Sequence, residues 1–192
     1  MNISLHNINL SMNFELGQDL EQEVQFKKIT ISLFQKNKTY INIGYIDLKI
    51  INIEDINYCG FHTFDSISAS ICNIYECVFD LQEETLIQEI KSNLTDNGIE
   101  LNYYVIIDTI SLDKKYHSLG IGDFVLKELK DYLNTKYGVS GLILLKSYPL
   151  GLEGKQYTKE GKIAVKKLND FYIRNNFYLI KKDDVSIFYK EC

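Results

Sequence analysis

Metal-binding residues are scarce in this sequence. It has three histidines and four cysteines in 192 residues. The cysteines form no CxxC pair and have no histidines at zinc-ligand spacing. We therefore expect no metal site. Cys72 and Cys77 are expected to be buried, reduced thiols, as in a reducing compartment.

A positive net charge and a long apolar run are also missing. The formal charge of −5 argues against a general nucleic-acid binder, which would carry a basic face. No apolar run approaches the roughly 18 residues of a membrane helix, and no signal-peptide pattern opens the chain. We expect no nucleic-acid partner, no membrane partner and a cytoplasmic location. A local basic pocket for an anionic cofactor stays compatible with this charge.

Internal repeats and linker-like segments are absent as well, so one α/β domain spanning residues 1–192 is the simplest organisation. A first strand is predicted to end near Met12. Alternating residues predict a half-buried strand over 28–34, and residues 39–53 read as a long strand with a bulge or bend at Gly44. Together the last two predict an antiparallel hairpin.

After the hairpin, the spacing of apolar residues predicts helices. Residues 66–80 are predicted to form a helix capped by Asp65 or Ser66. A second helix is predicted over residues 83–94, with Glu83 and Glu84 in its first turn, and Asn97-Gly98 breaks the chain after it.

The stretch that organises the sequence is a strand, a glycine turn and a helix. The strand is residues 105–112, the turn is residues 117–122, and the helix continues through Leu129 and stops at Gly138. Backbone N–H groups converge where such a turn meets a helix, and the helix dipole favours negative charge. The pattern therefore predicts a phosphate-binding segment.

The remaining segments are predicted to form a strand, a helix and two further strands. Residues 141–145 are almost continuously apolar, which predicts a strand buried on both faces. Residues 163–175 are predicted to be helical, with Asn176 in a left-handed conformation at the end. Two strands, residues 177–180 and 185–190, are predicted around an Asp183-Asp184 turn.

Two motifs in the C-terminal half resemble those of the GCN5-related N-acetyltransferase (GNAT) family. The family's acetyl-CoA loop consists of Gln or Arg, any two residues, and then Gly-x-Gly or Gly-x-Ala. It is similar to residues 117–122, which Tyr116 precedes. The family's last helix, Ala-x-x-Phe-Tyr-x-x-x-Gly-Phe, is similar to residues 168–177. The resemblance covers about residues 101–190.

The resemblance implies a fold and a function. The fold would be an α/β (α+β) domain with a central mixed, largely antiparallel sheet flanked by helices. Residues 101–190 would form the acetyl-CoA-binding core and residues 1–100 the acceptor side. The function would be transfer of an acetyl group from acetyl-CoA to an amine of a small molecule or a protein, without a metal; the chain could form a homodimer.

The resemblance also implies roles for individual residues. Tyr172 matches the family's general acid for the coenzyme thiolate, and its ordinary pKa of about 10 suits that task. Lys114 and Lys115 could meet the outer phosphates. The coenzyme would be held by the strand edge, the glycine turn and the last helix, through Ile110, Ser111, Leu112, His117, Ser118, Leu119, Gly120, Ile121, Gly122 and Asn169.

A general base is harder to assign. Asp108 is a carboxylate inside an apolar strand, where burial could raise its pKa, although it could equally be a satisfied polar group or face solvent. His117 titrates in the right range but sits at the phosphate end, and His62 lies in a loop. A base acting through water, or no base, is compatible with such a fold.

Two other functions follow from the same residues. The chain could be a non-catalytic GNAT-fold module that senses coenzyme or binds a protein. An ATP-binding loop is disfavoured because no Gly-Lys-Ser/Thr follows Gly122, and the dinucleotide fingerprint lacks its first glycine.

Overall fold

The computed structural model describes ten stretches of the chain, namely residues 8–13, 24–34, 38–53, 64–65, 67–83, 85–94, 101–138, 141–150, 157–182 and 185–192. They fall into two compact units. The first unit consists of Met1–Asp55, Leu101–Gly141 and Cys192, and the second of Ile56–Glu100 and Leu142–Glu191. The single-domain organisation remains a prediction.

The first unit is built on antiparallel strands. Its four described strands are β1 (Ile8–Asn13), β2 (Val24–Phe34), β3 (Tyr40–Asn52) and β6 (Tyr103–Leu112). They pair in that order, and each neighbouring pair is antiparallel. The predicted hairpin of β2 and β3 is confirmed, although β2 begins four residues before Lys28 because its pairing with β3 continues to Val24 and Ile51.

One helix, α3 (Ile121–Tyr137), completes the described part of the first unit. It buries one apolar face through Val125, Leu126, Leu129 and Leu133. It stops at Gly138, whose φ of +90° only glycine adopts easily. The Tyr103 hydroxyl donates to the Gly138 carbonyl oxygen over 2.7 Å, which ties the end of α3 to the start of β6.

The second unit begins with α1 (Ala69–Val78). Its cap is Ser68, whose hydroxyl accepts from the Ile71 N–H, so the predicted cap at Asp65 or Ser66 was wrong. The face containing Ile71, Ile74, Tyr75 and Val78 is buried. Cys72 and Cys77 are buried thiols that form no disulfide among the described residues.

The predicted helix over residues 83–94 is shorter in the structure. Two short strands, β4 (Phe79–Asp80) and β5 (Thr85–Leu86), pair antiparallel, and α2 covers only Gln88–Asn93. Asp80 explains the difference, because its Oδ1 accepts from the N–H groups of Gln82 (2.9 Å) and Glu83 (3.1 Å) and forms a turn there. Glu84, Asn97 and Gly98 lie outside the described residues, as do Cys59 and His62.

The rest of the second unit agrees closely with the sequence prediction. Strand β7 (Gly141–Lys146) is buried from residue 141 to 145, and β9 (Val185–Glu191) pairs antiparallel with both β7 and β8 (Tyr178–Lys182). Helix α4 (Lys159–Arg174) starts four residues earlier than predicted, because Thr158 caps it by accepting from the Gly161 N–H. Asn176 adopts the predicted left-handed conformation, with φ of +61°. The Asp183-Asp184 turn is outside the described residues.

The predicted fold class is therefore confirmed. The chain is an α/β protein with a mostly antiparallel central sheet and flanking helices. No helix among the described residues is long and apolar enough to cross a membrane.

Candidate functional site

Strand β6 changes character at Asp108. Residues 103–107 are all buried, Asp108 is exposed, and residues 109–112 are half-buried. The pairing with β3 shifts at the same point, because Asp47 is opposite Thr109 while Leu48 is opposite Ile107. Asp108 is therefore the extra residue of a β-bulge, a feature that bends a strand and re-aims its side chains.

The Asp108 side chain is not buried. Its side chain is 46% exposed, and its Oδ2 accepts from Lys49 Nζ over 2.9 Å. Lys49 is the buried partner, with 11% of its side chain exposed, and its ammonium lies 5.7 Å from the centre of the Phe26 ring. Of the alternatives left open for Asp108, the structure shows the satisfied polar group that faces solvent, because the bulge turns Asp108 outward and the neighbouring strand supplies a cation.

Beyond the bulge, successive residues of β6 direct their backbone N–H and C=O groups alternately toward β3 and away from it. Asp113 N–H donates to the Ile43 carbonyl oxygen over 2.9 Å, and Ser111 is opposite Tyr45. Because hydrogen-bonded and non-hydrogen-bonded pairs alternate in an antiparallel ladder, Ser111 directs its backbone groups toward β3. The N–H and C=O groups of Ile110 and Leu112 point away from β3.

Gly44 lets β3 approach this segment closely. The pairing of β2 with β3 shifts between Ile31 and Ser32, opposite Gly44, so the predicted bulge is confirmed. A Cβ atom on Gly44 would lie 2.2 Å from the Ser111 carbonyl oxygen. Glycine is therefore required where β3 meets the candidate coenzyme strand.

The chain turns back on itself between β6 and α3. A 3₁₀ turn covers Lys114–Tyr116, and Tyr116 is buried while its neighbours are exposed. The His117 side chain then folds back, and its Nε2 donates to the Leu112 carbonyl oxygen over 2.9 Å. His117 thus lies at the same edge of β6 as the backbone groups of Ile110 and Leu112.

Two left-handed residues precede α3. Ser118 has φ of +59° and Gly120 has φ of +76°. Left-handed residues among right-handed ones turn successive N–H groups toward a common point, which is an arrangement that binds anions. A Cβ on Gly120 would meet no described atom within 4 Å, so the space in front of this turn is open.

The N-terminus of α3 has no side-chain cap, because its N-cap residue is Gly120. The first intrahelical bond runs from Phe124 N–H to the Gly120 carbonyl oxygen at 3.1 Å. The N–H groups of Ile121 and Gly122 consequently have no partner within the helix. In a helix of 17 residues the dipole adds to these donors and favours an anion. Asp123 supplies one negative side chain in this first turn.

Two lysines flank the turn. Lys115 lies 3.9 Å from Asp113 and 4.9 Å from the ring centre of Tyr116, and both side chains of the ion pair are more than half exposed. Lys114 is exposed. Such exposed charges attract an anion over distance but hold it weakly.

Tyr172 lies in the second unit, in the last turn of α4. Its side chain is 7% exposed and its ring contacts those of Phe171, Phe177 and Phe188, with centroids 5.2 to 5.8 Å apart. Burial raises the pKa of the Tyr172 hydroxyl above its ordinary value. The hydroxyl is therefore protonated at neutral pH, as a proton donor must be.

Asn169 lies one turn before Tyr172 on α4. Its Nδ2 donates to Ser186 Oγ over 3.4 Å, whereas its Oδ1 is buried without a hydrogen-bond partner among the described residues. The hydroxyl of Ser147, just after β7, is in the same situation. Sequence reasoning missed Ser147 and Ser186, because single serines beside apolar strands give no pattern.

The structure thus groups the predicted site residues by unit. The first unit joins the β6 segment Ile110–Leu112 to the turn His117–Gly122 through the hydrogen bond of His117. Asn169 and Tyr172 share one face of α4 in the second unit. Among the described residues, no group of three or more His, Cys, Asp or Glu side chains is placed to hold a metal ion.

Comparisons with known proteins gave different results for the sequence and for the structure. No protein-family model matches the sequence, and no curated protein matches it. Solved structures do resemble it. One is Arabidopsis thaliana NAA60 in complex with acetyl-CoA, at 11% identity and a TM-score of 0.45, over 86% of this chain and 76% of that one.

Two further similar structures are bacterial. The Bacillus subtilis N-acetyltransferase YlbP, in complex with coenzyme A, has 12% identity and a TM-score of 0.40, over 86% of this chain and 67% of that one. A GNAT-family protein from Bacteroides thetaiotaomicron has 12% identity and a TM-score of 0.41, over 93% of this chain and 64% of that one. All three TM-scores are below 0.5, so these similarities carry no argument about the fold, the substrate or the catalytic activity of this chain.

Proposed function

We propose that this protein is an acetyl-CoA-dependent N-acetyltransferase that acts on an amine of a small molecule or a protein. The observation that supports it most is the uncapped N-terminus of α3 behind the left-handed residues Ser118 and Gly120. Its N–H groups suit a pyrophosphate. The adjoining edge of β6, where Ile110 and Leu112 direct their amide groups away from β3, suits the amides of a pantetheine arm.

The reaction consists of one bond formed and one broken. The amine nitrogen attacks the thioester carbonyl carbon, a C–N bond forms, the C–S bond breaks, the nitrogen loses a proton and the thiolate gains one. In this proposal the α3 N-terminus and β6 bind and orient the coenzyme. Tyr172 donates the proton to the thiolate, a role supported by its protonated state.

Asp108 is no longer our candidate for the general base. Its carboxylate is exposed and accepts from Lys49 Nζ, so Lys49 competes with the amine proton for its lone pairs. We propose instead that the Lys49–Asp108 pair fixes the bulge of β6 and so the direction of the coenzyme-facing amides.

Calorimetry with acetyl-CoA, free coenzyme A and ATP tests the binding half of the proposal. We expect acetyl-CoA and coenzyme A to bind and ATP to bind more weakly, because the turn lacks the lysine of an ATP loop. No heat with acetyl-CoA at millimolar concentration would refute the function as stated.

The second candidate is a GNAT-fold module that binds coenzyme without catalysis. The observation that favours it is the exposed, ion-paired state of Asp108, which leaves the described residues without a buried carboxylate near the coenzyme strand. Detection of free thiol released from acetyl-CoA across a panel of amines separates the two. Binding without release supports the module, and amine-dependent release supports the enzyme.

A further inference from the structure

The side chain of His117 bonds back to the strand that precedes it. Its Nε2 lies 2.9 Å from the carbonyl oxygen of Leu112, five residues earlier in the chain. A carbonyl oxygen only accepts hydrogen bonds, so the ring donates through a protonated Nε2. The 3₁₀ turn Lys114–Tyr116 reverses the chain between the two residues, and the left-handed Ser118 follows directly after His117. The backbone of the turn therefore brings the ring to this carbonyl.

The carbonyl that accepts from His117 lies on the strand edge proposed to bind the pantetheine arm. Leu112 is opposite Gly44 in β3, and the next residue, Asp113, donates its N–H to the Ile43 carbonyl oxygen. Neighbouring pairs of an antiparallel ladder alternate in direction, so the Leu112 carbonyl points away from β3. A donor bonded to that oxygen lies near one of its lone-pair directions. The His117 ring is therefore on the side of β6 from which the arm would approach.

The ring and the arm need the same acceptor. An amide N–H of a pantetheine arm would bond to a carbonyl such as that of Leu112, and the imidazole already uses one of the two lone pairs of this oxygen. The ring is also much larger than the water molecule that an arm would otherwise displace. Binding of the arm at Leu112 therefore requires the ring to leave.

The contact is weak enough to be displaced. His117 is exposed and Leu112 is half-buried, so water can replace each partner when the two separate. A single hydrogen bond exchanged for bonds to water contributes little net free energy. If only the fraction of molecules with a released ring binds the arm, the measured Kd equals the intrinsic Kd divided by that fraction.

We propose that the His117 side chain is an internal competitor of the pantetheine arm for the Leu112 carbonyl oxygen. It lowers the affinity for ligands that carry the arm and does not affect the affinity for the diphosphate part alone. This inference rests on the proposed acetyltransferase function, to which it adds a residue that determines coenzyme affinity and selectivity.

The test is calorimetry with two probes, acetyl-CoA and ADP, which has a diphosphate and no pantetheine arm. In His117→Ala we expect the Kd of acetyl-CoA to fall about two- to tenfold, the effect of removing one competing hydrogen bond. The Kd of ADP, measured by competition with acetyl-CoA, should stay unchanged. His117→Gln keeps an N–H donor of similar reach and should stay near the wild-type Kd.

Thr135→Ala is the matched control. It removes another exposed hydrogen bond from a side chain to a backbone carbonyl in the same unit, from Thr135 Oγ1 to the Asp131 oxygen at 2.8 Å. Thr135 lies near the opposite end of α3, so neither Kd should change.

Several results would overturn the inference. An unchanged Kd of acetyl-CoA in His117→Ala would show that the ring does not compete, and equal tightening of both probes would show that it obstructs the phosphate turn instead. Weaker binding of both probes would make the ring a phosphate ligand. Equal tightening in His117→Gln and His117→Ala would exclude the N–H donor as the cause. If wild-type protein binds acetyl-CoA and His117→Ala matches it, only this inference fails, whereas absence of acetyl-CoA binding to wild-type protein refutes the proposed function as well.

Discussion

Replacing Gly120 by alanine distinguishes an effect on acetyl-CoA binding at the proposed phosphate site from an effect on the stability of the fold. At φ of +76° an L-residue is strained, and the left-handed conformation costs a non-glycine residue about 1–2 kcal/mol. For a chain of 192 residues that corresponds to a fall of roughly 2–8 °C in melting temperature.

The effect on binding should be larger than the effect on folding. The new methyl group would occupy the open space in front of the turn, where no described atom lies within 4 Å of it. A phosphate kept from one charge-assisted hydrogen bond loses about 1.5–3 kcal/mol, which weakens binding by about 10- to 150-fold. Calorimetric titration with acetyl-CoA measures this Kd directly, and thermal unfolding measures the stability.

Gly138 provides the matched control. It lies at the opposite end of α3, also has a positive φ, and also has open space around its missing Cβ. Gly138→Ala should lower the melting temperature without changing Kd. If Gly120→Ala loses stability and keeps its wild-type Kd, the α3 N-terminus is not the phosphate site.

Three further predictions concern Tyr172, Gly44 and Asp108. Tyr172→Phe should lower kcat by about 100- to 10,000-fold and leave the Kd of acetyl-CoA unchanged, since only the hydroxyl is removed. Because burial raises the pKa of Tyr172 above its ordinary value of about 10, its proton is retained throughout the neutral range, and kcat measured against pH should show no fall from this residue below about pH 10. Gly44→Ala should destabilise the fold by about 2 kcal/mol or more in denaturant unfolding, because its Cβ would collide with the Ser111 carbonyl oxygen. Asp108→Asn should keep kcat within a few-fold and cost about 1 kcal/mol of stability, since Lys49 loses its ionic partner.

Each of these has a result that contradicts it. Wild-type turnover in Tyr172→Phe under saturating substrates would leave Tyr172 a core residue only, and a basic limb near pH 8 would assign the titration to another group. A stable Gly44→Ala protein would mean that β3 and β6 can separate at this point. A loss of turnover in Asp108→Asn at unchanged Kd would restore Asp108 as the base.

Residues with special backbone conformations were predictable from the sequence. Gly138 and Asn176 end their helices with positive φ angles, and Gly44 marks a bulge, as expected. Each belongs to a residue type for which a left-handed or crowded backbone costs little, so local chemistry decides the outcome. The buried strand β7 was predictable for the same reason, because a continuous apolar run needs no tertiary information.

Features that depend on distant residues could not be predicted. The outward position of Asp108 depends on its partner Lys49, which is 59 residues away, and on one extra residue in β6. The predicted helix from Glu83 starts later because β4 and β5 pair with each other and Ile87 N–H donates to the Val78 carbonyl oxygen. Ser147 and Ser186 come together only when β7 and β9 pair.

The bulge in β6 also determines how related sequences must be compared with this one. Because side chains along a strand alternate between the two faces of the sheet, one inserted residue shifts the phase of everything after it. A related chain without a counterpart of Asp108 would present the amides equivalent to Ile110 and Leu112 one position earlier. An alignment without a gap at Asp108 would therefore pair residues whose amides point away from β3 in one protein with β3-facing residues of the other, and would hide the similarity of the two strands.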